Sequence, residues 1–360
     1  RIDDNTLKFA TTYAGAIAGN ATALSAGVAG NGHTLDEVIV AADKVEKYTL
    51  ADGGQREIVV NSATLGVNVD GGTGNDTVNV AGLNVSGTYA LAAGTNEIVA
   101  KTGAEIDGAT ITTSAGATYS IHIADGSSVK MKVAQHNSAS DITGAGATET
   151  LTLADAAGTN KTFNGSDSDA VNVAGDTITI SSHGFSTGDA VTYAGELAGT
   201  AIGGLTDGTT YYVINLGDSS FKLATSHANA TAGTPTAVTI SSLGTLSDHQ
   251  LMPVLKLDAD IENVTLANGV NRITASANDQ NITSDGGTLY IDLADRELGT
   301  LTESSATTTT LDISGTTSLL KLDGANLSTV ETLRLGADQA NGTTLWTNFD
   351  WDGAGGTITT

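Results

Sequence analysis

The chain has 360 residues, of which 40 are Asp or Glu and 15 are Lys or Arg, so its formal net charge at pH 7 is −25. So few basic residues argue against binding to nucleic acid or to an anionic membrane surface, and we expect neither partner. The absence of cysteine excludes disulfides, thiolate metal sites and cysteine nucleophiles.

The N-terminal segment, residues 1–49, contains the only pattern with helical spacing. Five apolar residues between positions 35 and 45 fall on one helical face, which predicts one helix over residues 35–47. The chain starts with Arg1 and shows no leader-like segment, so we expect that a signal peptide has been removed or never existed. It also has no apolar run of about 18 residues, and we therefore expect no membrane span.

Short runs of alternating apolar and polar residues fill residues 50–175 and return over residues 246–360. Examples are residues 67–69 (Val-Asn-Val), 78–80 (Val-Asn-Val) and 255–257 (Leu-Lys-Leu), each close to Gly, Asn or Asp. This period of two, with many β-branched residues, is typical of strands. We predict an all-β protein in which both regions form a parallel β-solenoid or stacked β-sheets.

An internal repeat supports the solenoid interpretation. Residues 45–51, 261–267 and 330–336 share the form apolar-Glu-x-apolar-x-Leu-small. Repeats of this kind are expected where each short unit buries its apolar face against the next one. The alternative is chance similarity within a chain rich in Gly, Thr, Ala and Val.

Residues 176–245 differ in composition from the flanking regions and are predicted to form an inserted small β-barrel domain. Aromatic residues concentrate there, among them Phe185, Tyr193 and Phe221, and turn sequences separate the apolar runs. Residues 183–191, 208–214 and 221–223 resemble a small β-barrel module that recurs in phage tail proteins and large bacterial surface proteins. The resemblance implies a spacer rather than a catalytic domain.

Residues 71–79 match the calcium-binding nonapeptide G-G-x-G-x-D-x-U-x. At this motif the chain resembles RTX-type secreted bacterial proteins, and the resemblance implies Ca²⁺ bound between turns of successive coils. The turn around Asp52 lies 18 residues before the matching Asp70 and is the nearest partner turn, although Arg56 beside it would repel a cation. The alternative is a glycine-rich turn without metal. The candidate ligand positions are Asp52, Asp70, Gly71, Gly72, Gly74 and Asp76.

A second candidate calcium loop spans residues 164–169. Asn164, Asp167 and Asp169 place oxygen-bearing side chains near one another, as in the first half of a calcium loop. The loop lacks the central Gly and the distal Glu of an EF-hand. The alternative is a solvated turn.

No sequence pattern indicates catalysis. The six histidines have no zinc spacing, and we find no nucleophile elbow, Walker loop or dinucleotide fingerprint. We therefore expect the protein not to be an enzyme, with a polysaccharide-active β-helix as a minor alternative.

The function expected from these observations is structural. An acidic chain without cysteine, with an RTX-like nonapeptide and repeated coils, indicates a subunit of a secreted bacterial surface assembly, either a surface layer or an extracellular filament. Its expected location is extracellular or at the cell surface, and its expected partners are other copies of itself, with cell-surface glycan as a further candidate. The alternatives are a phage tail or virion structural protein and a segment of an RTX adhesin.

Overall fold

The computed structural model describes residues 68–303, apart from 81–86, 115, 196–198, 246, 278 and 293–297. Outside this range it describes individual strands between residues 38 and 60 and between 307 and 359. The protein is nearly all β, with 5% helix, and its parallel sheets stack into a β-solenoid. The predicted fold class is thereby confirmed, whereas the inserted barrel stays a prediction.

Two parallel sheets belong to the coils that precede the insertion. The first contains six strands: β1 (Val38–Ala41), β3 (Glu57–Val60), β5 (Thr77–Val80), β7 (Thr95–Ala100), β10 (Thr118–Ile123) and β12 (Ile142–Gly144). The second contains four: β2 (Lys47–Thr49), β4 (Asn68–Asp70), β6 (Gly87–Leu91) and β9 (Ala109–Thr113).

A third parallel sheet joins coils on both sides of the insertion. Its strands are β8 (Ala104–Glu105), β11 (Ser128–Met131), β13 (Thr150–Leu153), β21 (Asn263–Leu266), β23 (Gln280–Ser284) and β25 (Leu298–Glu303). Thr150 of β13 lies opposite Asn263 of β21. The stack therefore continues directly from the coil that ends at Leu153 to the coil that starts after residue 260.

The fourth sheet combines parallel and antiparallel pairing. Its parallel part consists of β20 (His249–Lys256), β22 (Gly269–Thr274), β24 (Gly287–Asp292), β26 (Thr307–Ile313), β28 (Val330–Leu335) and β30 (Thr357–Thr359). Its antiparallel part is formed by the inserted segment: β14 (Lys161–Phe163), β15 (Val171–Asn172), β16 (Thr177–Thr179), β17 (Ala190–Ala194), β18 (Thr210–Gly217) and β19 (Ser220–Ala224). A separate pair joins β27 (Leu319–Leu320) and β29 (Thr344–Leu345). The helices are α1 (Val133–Ser138) and α2 (His227–Thr231).

The core of the solenoid follows from the register of its strands. In the first sheet Val78 lies opposite Ile98, Ile98 opposite Ile121, and Ile121 opposite Ile142, and all four are buried. Because alternate residues of a strand point to the same face, each coil contributes its apolar residues to one column. One hydrophobic cluster accordingly contains buried residues from Val69 to Leu301, on both sides of the insertion.

The structure differs from the sequence expectations in two places. The helix expected over residues 35–47 is absent at Val38–Ala41, which is β1 and pairs in parallel with β3. A run of three β-branched residues favours a strand once a neighbouring strand is present. In addition, the parallel coils stop at Leu153, because β14 and β15 pair antiparallel, whereas the expected boundary was residue 175.

The inserted segment has its own buried cluster, which includes Phe163, Tyr193 and Phe221. The fully buried hydroxyl of Tyr193 lies 2.6 Å from Nδ1 of His249 and accepts the N–H of Ile202 at 2.9 Å. Burial raises the pKa of Tyr193, so the hydroxyl stays protonated.

We predict that Tyr193→Phe lowers the free energy of unfolding by about 2 kcal/mol, because it leaves two buried polar groups without their partner. Chemical denaturation measures the change. Tyr212→Phe is the matched control: Tyr212 is partly buried, and its hydroxyl makes no hydrogen bond within the described part of the chain. Equal effects of the two substitutions would contradict the prediction.

Candidate functional site

The nonapeptide forms the turn between β4 and β5. Asp70 ends β4, and Asp76 immediately precedes β5. The Asp76 side chain is only 1% exposed, and its carboxylate packs against Gly71, where an added Cβ would come within 2.5 Å of Oδ2. Glycine at position 71 is therefore required by the close approach of the Asp76 carboxylate.

Hydrogen bonds to the next coil use several oxygen atoms of this turn. The N–H of Ala93 donates to the carbonyl of Gly72 at 3.1 Å, and the N–H of Thr95 donates to Oδ1 of Asn75 at 2.9 Å. The next coil presents the amide of Asn96 beside Asp76, whose N–H donates to Oδ1 of Asn96 at 3.1 Å. The neighbouring turn thus places the Asn96 amide beside Asp76. A second carboxylate at this position would favour a cation more than an amide does.

These contacts fit calcium only in part. The described residues give the turn one fully buried carboxylate, and a carbonyl that could bind metal accepts a backbone N–H instead. Gly74 lies next to the following coil, because a Cβ on Gly94 would come within 2.5 Å of the Gly74 carbonyl oxygen. Asp52, the predicted partner, lies outside the described residues. Calcium at this turn stays a prediction.

The second predicted loop lies in the inserted segment, between β14 and β15. Asn164, Asp167 and Asp169 are exposed. Oδ1 of Asn164 accepts the N–H of Ser166 at 3.0 Å, and Oδ1 of Asp167 accepts the N–H of Asp169 at 2.9 Å. These bonds are those of Asx turns, which stabilise a surface loop without a ligand.

The structure brings together a different set of acidic residues, which we call the acidic corner. It consists of the side chains of Glu149, Glu262 and Asp125 and the carbonyl of Asp260. Glu149 directly precedes β13 and Glu262 directly precedes β21, and these strands are neighbours in register. The two carboxyl groups are hydrogen-bonded to each other, although the residues are 113 positions apart in the sequence.

Glycine makes room for the Glu149 carboxylate on two sides. A Cβ on Gly146 would overlap Oδ1 of Asp125 and lie 2.9 Å from Oε1 of Glu149. A Cβ on Gly144 would overlap the carbonyl oxygen of Asp260 and lie 3.2 Å from Oε2 of Glu149. The Glu149 carboxylate therefore lies between the side chain of Asp125 and the carbonyl of Asp260.

The pKa values of the two carboxyl groups in the corner are shifted in opposite directions. Burial raises the pKa of Glu149, but nearby backbone N–H groups and the Glu262 carboxyl outweigh it and hold that pKa below its ordinary value. The pKa of Glu262 is raised, by burial first and also by the Glu149 carboxylate. Neither residue forms an ion pair with any part of the chain that the structure describes.

Sequence reasoning identified Glu262 as a repeat residue but missed Glu149. Residues 149–154 read Glu-Thr-Leu-Thr-Leu-Ala, and residues 262–267 read Glu-Asn-Val-Thr-Leu-Ala. The first copy begins after Thr148, whereas an apolar residue precedes Glu262. A search that left the first position free would have paired the two segments.

A groove of about 310 Å³ holds a second polar cluster. On its wall Nε2 of His136 lies 2.8 Å from Oδ2 of Asp258, and Nδ1 of His136 lies 3.0 Å from Oδ1 of Asn137. His136 is thus held at both nitrogens by polar neighbours. The contacts orient the ring, and they also tie α1 to the segment that follows β20.

Comparison with protein-family models, with curated proteins and with solved structures finds no match to this chain. Among the residues that the structure describes, no three His, Cys, Asp or Glu side chains are arranged to hold a metal ion by themselves. None of the described helices has the length and apolarity needed to cross a membrane.

Proposed function

We propose that this chain is a structural subunit of a secreted bacterial surface assembly, a surface layer or an extracellular filament. In this proposal copies of the chain associate with one another, divalent cations such as Ca²⁺ stabilise them, and the chain has no catalytic role. Its place is outside the cell or on the cell surface, where glycan is a further candidate partner.

The observation that carries the proposal is a pair of edge strands, β1 and β30, among the strands that the structure describes. Among the described strands, β1 pairs only with β3, and β30 pairs only with β28. The outer edge of such a strand offers backbone N–H and C=O groups to another strand. Strand addition at these edges would join one copy to the next through main-chain hydrogen bonds.

Core and charge support the same proposal. The hydrophobic cluster from Val69 to Leu301 makes the described coils one continuous stack, as a structural subunit requires. The net charge of −25 opposes close packing of identical copies, and salt screens this repulsion only beyond about 8 to 10 Å. Divalent cations are the natural counter-charge, in agreement with the resemblance to RTX-type proteins.

We predict that the purified chain associates in a concentration-dependent manner in millimolar Ca²⁺ and dissociates in EDTA, as measured by analytical ultracentrifugation. Ile358→Pro in β30 should abolish association at that edge, because proline removes an N–H and is incompatible with regular pairing. Ile358→Val keeps the N–H and the β-branched side chain and should associate like the parent chain. A chain that stays monomeric at every concentration, with or without Ca²⁺, would rule out the proposal.

A phage tail or virion structural protein is the second candidate. It is favoured by the inserted antiparallel strands β17, β18 and β19, which contain the residues that resemble the tail-protein module. Immunoblotting of purified virions and of cell-surface fractions distinguishes the two functions. Our first proposal requires the chain in the cell-surface fraction.

A further inference from the structure

The acidic corner contains buried oxygen atoms that the described part of the chain does not satisfy. Glu149 is fully buried, and its Oε1 has no hydrogen-bond partner among the described residues; Oε2 of Glu262 is likewise buried without one. Buried polar atoms in native proteins are normally hydrogen-bonded, so each exception requires an explanation.

In the neighbouring coil, a buried side-chain amide makes all of its possible hydrogen bonds. Gln280, in the next strand of the same sheet, donates to the carbonyls of Asp258 and Ile261 and accepts the N–H groups of Ser276 and Ala277, at 2.8 to 3.2 Å. An amide at the corner could use its N–H₂ group in the same way. Glu149 and Glu262 have no N–H₂ group: a proton on Glu262 can be donated to Glu149, but when both are ionised they offer acceptors only, and a positively charged group from outside the chain then satisfies them.

Oxygen atoms surround the position where that group would bind. The side chain of Asp125 lies on one side of the Glu149 carboxylate, and the carbonyl of Asp260 lies on the other. Gly144 and Gly146 keep this space free of side chains. Carboxylates, a backbone carbonyl and water are the ligands that Ca²⁺ uses in proteins.

We propose that the acidic corner binds one divalent cation, preferentially Ca²⁺, through the carboxylates of Glu149 and Glu262. The Asp260 carbonyl and water complete the oxygen shell, and the more exposed Asp125 contributes through one of these waters. Two protein carboxylates with water make this a weak site, comparable to extracellular calcium modules with dissociation constants of about 10⁻⁴ to 10⁻³ M. Mg²⁺ binds less well, because it demands a near-ideal octahedron.

The position of the site gives the ion a structural task. Glu149 belongs to the last coil before the insertion and Glu262 to the first coil after it, so a bound cation clamps the two coils together where the chain returns to the stack. This inference deepens the proposed function, on which it rests, since it identifies where a stabilising cation binds.

Calcium titration of the EDTA-treated full chain tests the proposal by calorimetry and by thermal unfolding at a protein concentration where it is monomeric. We expect CaCl₂ to raise the melting temperature of the parent chain by several degrees. Glu149→Gln should raise the melting temperature in EDTA, since it removes a buried acid, and should abolish the response to calcium. Asp125→Asn, at an exposed position, should fold normally and weaken calcium binding at least threefold.

Asp141→Asn is the matched control, because it removes one exposed carboxylate from the adjacent turn without touching the corner. It should leave the calcium response unchanged. A parent chain that does not respond to CaCl₂ overturns the proposal, as does a response that survives Glu149→Gln but is lost in Asp76→Asn. The same holds if acidification reproduces the gain in stability and calcium adds nothing, because the corner would then hold only a proton. Calcium binding by a chain that never associates would refute the proposed function and leave the site intact.

Discussion

Gln280→Met is expected to lower the free energy of unfolding by about 4 kcal/mol, because it leaves two carbonyl and two N–H groups without partners inside the solenoid. Gln280 is 1% exposed, and its amide bonds to Ser276 and Ala277 in the turn that precedes β23 and to two carbonyls in the turn that precedes β21. Methionine nearly matches the volume of glutamine, so the loss reports hydrogen bonding rather than a cavity. Urea denaturation measures the change as a lower midpoint at constant slope.

Gln250→Met is the control for this substitution. Oε1 of Gln250 accepts a hydrogen bond from Asn160 at 3.1 Å, but this contact is exposed to solvent. Water can replace it, so the control should change stability by no more than about 0.5 kcal/mol. If both substitutions were equally mild, the Gln280 amide would not be holding the turn.

Asn96→Ala is expected to cost about 3 kcal/mol for the same physical reason. The fully buried Asn96 amide donates to the carbonyls of Leu91, Ala93 and Thr118 at 3.2 to 3.4 Å, and its oxygen accepts the N–H of Asp76 at 3.1 Å. It therefore connects three successive coils at one corner of the solenoid. These bonds are longer than those of Gln280, and we expect a smaller loss for that reason.

Asn75→Ala removes a similar contact between coils from an exposed position, where Oδ1 accepts the N–H of Thr95 at 2.9 Å. Its expected cost is below about 1 kcal/mol, since the freed N–H can bond to water. Thermal and urea unfolding should show a much lower free energy of unfolding for Asn96→Ala than for Asn75→Ala. The reverse ranking would show that the exposed Asn75 contact, rather than the buried Asn96 amide, stabilises the coils.

Much of the fold could be predicted because strands with one buried face leave a period of two in the sequence. Residues 78–80 show it plainly, and Val78 and Val80 are buried in β5 as that pattern requires. The helix expected over residues 35–47 was wrong at Val38–Ala41 because strand pairing, which is a tertiary effect, overrides a local helical spacing.

The acidic corner was not predictable from local patterns. Glu149 and Glu262 are brought together by pairing of β13 with β21 across the insertion, and neither position differs locally from a solvated glutamate. The buried amides of Asn96 and Gln280 could not be predicted for a similar reason. A pattern of apolar and polar residues counts both as polar and therefore places them at the solvent-exposed surface. Their roles depend on turns whose carbonyl groups point inwards, and only the assembled coils show this.

Electron microscopy of the purified 360-residue chain tests the central claim most directly. At millimolar Ca²⁺ we predict ordered filaments or layers in which the parallel sheets of one copy continue into the next, and we predict that EDTA disperses them. Separate, unassociated particles at every calcium concentration would contradict a structural role based on self-association.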